Sequence, residues 1–116
     1  MDSKITLSNG SELSVNFMDL DFRKVFYNEV MHFSKAISEI DESKGEMDIL
    51  NKQYNLTEKF IDKVFGDGEM KRLLKDKRDL ALSMELIVSL TKLKKEVDDE
   101  FAKMSDAVNI SDEHTD

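Results

Sequence analysis

An apolar helical pattern stops on two glycines at Phe60-Ile61-Asp62-Lys63-Val64-Phe65-Gly66-Asp67-Gly68, and another begins at once at Glu69-Met70. Glycine has no Cβ, so it reaches the backbone conformations that close a helix without a clash. Gly66 is therefore expected at positive φ, in the left-handed conformation that ends a helix. A corner of this kind points to helices joined by tight turns. Apolar residues elsewhere recur at three- and four-residue steps, the helical period.

The first helix is expected from Asp19 or Asp21 to Ile40, either aspartate being able to cap its free N–H groups. Phe22, Val25, Phe26, Val30, Phe33, Ile37 and Ile40 form its inner stripe. A polar turn, Asp41 to Glu46, follows. The second helix runs from about Met47 to Phe65 with Met47, Leu50, Tyr54, Ile61 and Val64 inward. Asn55-Leu56-Thr57-Glu58 has capping-box spacing, so this helix could be divided there. Glu69 to Lys75 reads as a short helix that turns Met70, Leu73 and Leu74 inward. Asp79 can cap the last and longest helix, which reaches about Met104. It is apolar on a broad arc from Leu80 to Leu90 and narrows to Leu93, Val97, Phe101 and Met104, so its second half should project from the core.

Ahead of the helices, Ile5 and Leu7, then Leu13, Val15 and Phe17, alternate with polar residues around Asn9-Gly10, which predicts a β-hairpin. Setting Leu7 opposite Leu13 and Ile5 opposite Val15 needs an odd loop such as Asn9-Gly10-Ser11, or a bulge. The hairpin should lie on the first helix, because an isolated hairpin is marginal in water. The fold class is thus mostly α: three long helices, one short helix and an N-terminal hairpin. Residues 1–104 form one domain, and the acidic residues 105–116 are expected to be disordered.

A chain of 116 residues with 40% hydrophobic content supports one modest core. It has no cysteine, which excludes disulfides and thiolate chemistry. No apolar run approaches the roughly 20 residues that span a bilayer, and the first residues lack the apolar core of a signal peptide. A cytoplasmic location without membrane contact is the expectation. The net charge of −8 argues against a continuous nucleic-acid-binding face. Lys71, Arg72, Lys75, Lys77 and Arg78 nevertheless cluster, while the C-terminal residues are acidic.

Sites for chemistry are missing. His32 and His114 have no partner at metal-ligand spacing. Asp41-x-Ser43-x-Gly45 begins like a calcium loop but places Glu46 at the turn glycine and Lys52 at the bidentate glutamate. Gly66-Asp67-Gly68 follows a helix and lacks the lysine and hydroxyl of a phosphate loop. No nucleophile motif is present. A binding protein without catalytic residue, metal or cofactor is expected, not an enzyme.

The run from Phe60 through Gly66-Asp67-Gly68 and Leu73-Leu74 to Asp79-Leu80 resembles the tail assembly chaperones of long-tailed bacteriophages and prophages of Gram-positive bacteria. So does the strand exit Val15-Asn16-Phe17-Met18-Asp19-Leu20-Asp21-Phe22. The specific pattern covers about twenty residues, and the layout covers most of the chain. The resemblance implies a mostly helical fold and a protein partner, the apolar tape-measure protein, which such chaperones hold until the tail tube encloses it. It also implies action in the bacterial host cell and absence from the mature virion.

Two surfaces are expected to carry the binding. Phe65, Met70, Leu73 and Leu74 at the corner would contact the client, with Lys71, Arg72, Lys75 and Arg78 steering an acidic one. Leu93, Val97, Phe101 and Met104 would support self-association into a homo-oligomer. The alternative function is a structural or regulatory helical module that dimerises along Leu86, Leu90 and that same stripe. Most of the seven methionines are expected to fill the core, with the remainder free to adapt a groove to varied client side chains.

Overall fold

The computed structural model describes residues 3–114. Two short strands, β1 (Ser3–Thr6) and β2 (Glu12–Val15), precede four helices: α1 (Leu20–Ser38), α2 (Glu46–Phe65), α3 (Glu69–Leu73) and α4 (Leu80–His114). The architecture is mostly α with an N-terminal antiparallel hairpin.

In the hairpin, Ile5 faces Leu13 and Ser3 faces Val15, two residues from the expected register. The loop is three residues long, Ser8-Asn9-Gly10, and so begins one residue earlier than expected. Gly10 decides this: its φ of 88° suits the last loop position, and its N–H donates to the Leu7 carbonyl at 2.9 Å. Asn9 Oδ1 accepts from the Ser11 N–H. A shift of two leaves every side chain on its face, so Ile5, Leu7, Leu13 and Val15 are all buried together.

The hydrogen bonds of the hairpin run to α3 and α4, not to α1. Asn9 Nδ2 donates to the Leu73 carbonyl at 2.9 Å, and Lys75 Nζ donates to the Asn9 carbonyl at 2.7 Å. Arg72 donates to the Glu12 carbonyl. Glu85 accepts from both the N–H and the hydroxyl of Ser8, at 2.7 and 2.8 Å. Backbone groups at the hairpin tip need partners, and the end of α3 supplies a free carbonyl and a lysine. Phe17, past the end of β2, packs on α1: its ring lies edge-on to Phe22 and Phe26, with centroids 5.5 and 5.0 Å away.

Asp19 caps α1, its Oδ1 accepting from the Phe22 N–H at 3.1 Å. Helix α1 ends at Ser38, two residues before the expected Ile40. Helix α2 is unbroken: the Thr57 hydroxyl donates to the Gln53 carbonyl one turn back and so caps nothing. Phe26 meets Phe60, and Phe33 meets Phe60, which locks α1 against α2 through aromatic edges and tilted rings.

The glycine corner differs in detail from the expectation. Gly66 has φ 125° and ψ 151°, a region open in practice only to glycine, while Gly68 takes the left-handed helical conformation at φ 86°. Asp62 serves both sides of the turn. Its carbonyl accepts the Gly66 N–H at 2.9 Å, and its carboxylate accepts the Met70 N–H at 3.0 Å. Gly66→Ala is expected to cost about 1–3 kcal/mol through backbone strain alone. Space is not the issue, since an added Cβ would meet nothing closer than Glu69 Cγ at 3.9 Å. A urea midpoint that falls at unchanged m-value is the expected readout; an unmoved midpoint would mean the corner relaxes freely.

Asp79 caps α4 as expected, accepting from the Leu82 N–H at 3.1 Å. The helix does not end near Met104 but continues to His114, so the segment expected to be disordered from Ser105 is helical that far; Thr115 and Asp116 lie outside the described residues. No glycine or proline between Ser105 and His114 interrupts it. Its 35 residues make a rod of about 52 Å at 1.5 Å per residue. The radius of gyration is 17.5 Å, against about 13 Å for a compact chain of this length. The distal half of α4 therefore projects.

Candidate functional site

The stripe on the distal half of α4 leaves the core gradually. Leu93 and Val97 pack against the body, whereas Phe101 and Met104 are 54% and 59% exposed. Across from them stand Ser3 in β1 and Met18 in the junction between β2 and α1. These residues line a groove of about 560 Å³ whose edges carry Glu96, Asp99, Glu100 and Lys103.

Arg23 holds the arm of α4 at this distance from the junction. Its Nε donates to the Phe17 carbonyl, Nη1 to the Tyr27 hydroxyl at 3.0 Å, and Nη2 to Asp98 at 2.8 Å. Lys94 donates to the other Asp98 oxygen at 2.6 Å and lies 5.2 Å from the centre of the Tyr27 ring. The hydrogen bond from Lys94, followed by that from Arg23, holds the Asp98 carboxyl below the usual carboxylate range. A carboxyl depressed in the folded state contributes stability above the ordinary aspartate value of about 3.9, and that contribution is lost as pH falls through the lower folded value. Acidification below about pH 4 is thus expected to loosen the arm from α1, seen as a shift of the Tyr27 ring resonances. Asp98→Asn should remove that acid step while costing less than about 1 kcal/mol at neutral pH.

The corner residues expected to meet a client are brought together, but inside the protein. Met70, Leu73 and Leu74 are each 0% exposed, and Phe65 is half-buried with its ring 5.7 Å from Phe22. The hairpin covers α3, which no feature of the sequence indicated. The basic cluster is also occupied. Arg72 is paired with Glu69 at 2.8 Å and bonded to β2, Lys75 is bonded to Asn9, and Arg78 donates to Asn51 and lies 4.9 Å from the centre of the Tyr54 ring. All three remain exposed, so their charge still reaches solvent while their donors also tie the corner together.

The methionines reverse the expectation. Met18, Met31, Met47, Met84 and Met104 are exposed, and only Met70 is in the core; Met1 lies outside the described residues. The dimer seam is shortened as well, because Leu86 and Leu90 are buried in the core, Leu93 and Val97 are half-buried, and Phe101 and Met104 are exposed. A smaller apolar groove of about 280 Å³ lies elsewhere, where Phe33 and Ile37 of α1 face Met84 and Val88 of α4 over Thr57. Nothing in the sequence assigned Met18 or Glu96 a site role, and Glu100 entered only as part of the acidic C-terminal end. Met18 gave one signal, an apolar residue left over between Phe17 and the cap Asp19.

The model of a family of unknown function, DUF6673, matches residues 9–113. The chain belongs to this family. No curated protein and no solved structure matches it. The DUF6673 match takes in β2, the helices as far as residue 113, and every residue that lines the two grooves except Ser3. Among the described residues of this DUF6673 chain, no three metal-ligating side chains come together. None of the helices described is long and apolar enough to cross a membrane.

Proposed function

We propose that this DUF6673 protein is a tail assembly chaperone that binds apolar helical segments of a tape-measure protein and keeps them in solution while the tail forms. The observation that carries the reading is the open groove between Met18 and the projecting arm of α4, with Phe101 and Met104 exposed along it. An apolar patch left in water on a small protein marks a partner site, and methionines adapt to differently shaped side chains. A groove beside a rod suits an amphipathic helix. The net charge of −8 would keep the loaded complex dispersed. The resemblance of the Phe60–Leu80 run to phage chaperones supplies the client. Work in the host cytoplasm, absence from the finished virion, and a binding role without catalysis follow from this reading.

The test is capture of a tape-measure fragment by size-exclusion chromatography. Replacing Phe101 and Met104 with glutamate is expected to weaken capture by about 30-fold or more, as for loss of central interface anchors. Both side chains are exposed, so stability should change by no more than about 0.5 kcal/mol. Capture that survives both substitutions would remove the groove from the reading, and no capture by the unmutated protein would end the reading. Self-association through Leu93, Val97, Phe101 and Met104 is the second reading, favoured by the projection of α4. Light scattering from a strictly monomeric solution at high concentration would exclude it.

A further inference from the structure

Resting on the binding role proposed above, we infer that the groove beside α4 selects a basic amphipathic helix. Leu93 to Met104 spans about 17 Å along the arm, three helical turns, which accommodates three apolar anchors of a partner. Glu96 and Glu100 are one turn apart on the same side of α4, both lie along the groove, and both are exposed. They make no ion pair among the described residues, whereas Asp99 is 3.5 Å from Lys95. Lys103 is the single basic side chain among the groove-lining residues. An apolar floor with carboxylates along one edge is complementary to a helix whose apolar stripe is flanked by lysine or arginine.

The same charges disfavour a second copy of this chain as the occupant. An arm laid against an arm would bring another Glu96, Asp99 and Glu100 to the acidic edge, and like charges across an interface cost affinity. The buried Leu86 and Leu90 also leave such a pair without a third of its seam.

Two fluorescent synthetic helices of about 20 residues, with one apolar stripe, test this; one carries lysine beside the stripe and the other glutamate. The lysine peptide is expected to bind at least about tenfold more tightly, from two exposed ion pairs gained against two repulsions. Glu96→Lys with Glu100→Lys should reverse that preference, and circular dichroism should be unchanged, since both positions are exposed. Equal binding of both peptides, or binding of neither while the tape-measure fragment is still captured, overturns the charge selection and leaves the binding role standing. Failure of the peptides and the fragment alike overturns both. A dimer by light scattering that Phe101→Glu dissolves would give the groove to a second copy and overturn the inference.

Discussion

Replacing Met70 and Leu74 together with serine is expected to leave little folded protein at room temperature. Both side chains are wholly buried, under the hairpin and against α2. Each truncation of a large core side chain costs about 2–5 kcal/mol, and each new hydroxyl without a partner adds about 1–3 kcal/mol. The sum, about 6 kcal/mol or more, rivals the whole stability of a domain this size, about 5–15 kcal/mol. The melting temperature followed by circular dichroism should fall by more than about 20 °C. A fall of less than about 3 °C would show that the corner is not core. Set beside the glutamates at Phe101 and Met104, this pair separates the two apolar surfaces: one set of changes abolishes folding, the other abolishes capture.

Phe17→Ala comes next in size, at about 3–5 kcal/mol. Phe17 is fully buried and sits between two α1 rings, and its carbonyl accepts from Arg23. It packs the segment that follows β2 against α1. Truncation opens a hole among aromatic rings that cannot close it, because α1 is already fixed against α2 by Phe60. Phe17→Leu should cost much less, about 1.5 kcal/mol or under, by keeping most of the volume. Denaturant melts of the two variants measure the difference. Equal losses would mean that the site is plastic and the ring geometry unimportant.

The helices were legible in the sequence because helical periodicity is local. Asp19 and Asp79 could be named as caps, and the parity of the hairpin loop followed from which face is apolar. Positive φ at Gly66 followed from the stop in the pattern, although its region of backbone space did not. The docking of the hairpin was not legible. It depends on Ser8 meeting Glu85 and Asn9 meeting Leu73, pairs far apart in sequence with no periodic signal. That one unreadable contact decided the candidate site. It buried Met70, Leu73 and Leu74 and engaged Arg72 and Lys75, so the apolar surface left for a partner lies away from the corner, the groove beside the arm included. The continuation of α4 past Met104 was missed for a different reason: polar acidic composition suggests disorder, yet it contains nothing that breaks a helix.

Docking at this distance also orders events during synthesis. The hairpin is made before the helices that seat it: Leu73 and Glu85, which anchor its tip, follow 64 and 77 residues later. At about 5–20 residues per second that is a delay of several seconds, during which the hairpin carrying Ile5, Leu7, Leu13 and Val15 lacks its anchors on α3 and α4. Contacts between α1 and α2 are available sooner, since both helices are complete by Phe65. The strands, made before all four helices, are therefore seated last, and a nascent chain that stalls before α4 presents a sticky apolar face on its hairpin.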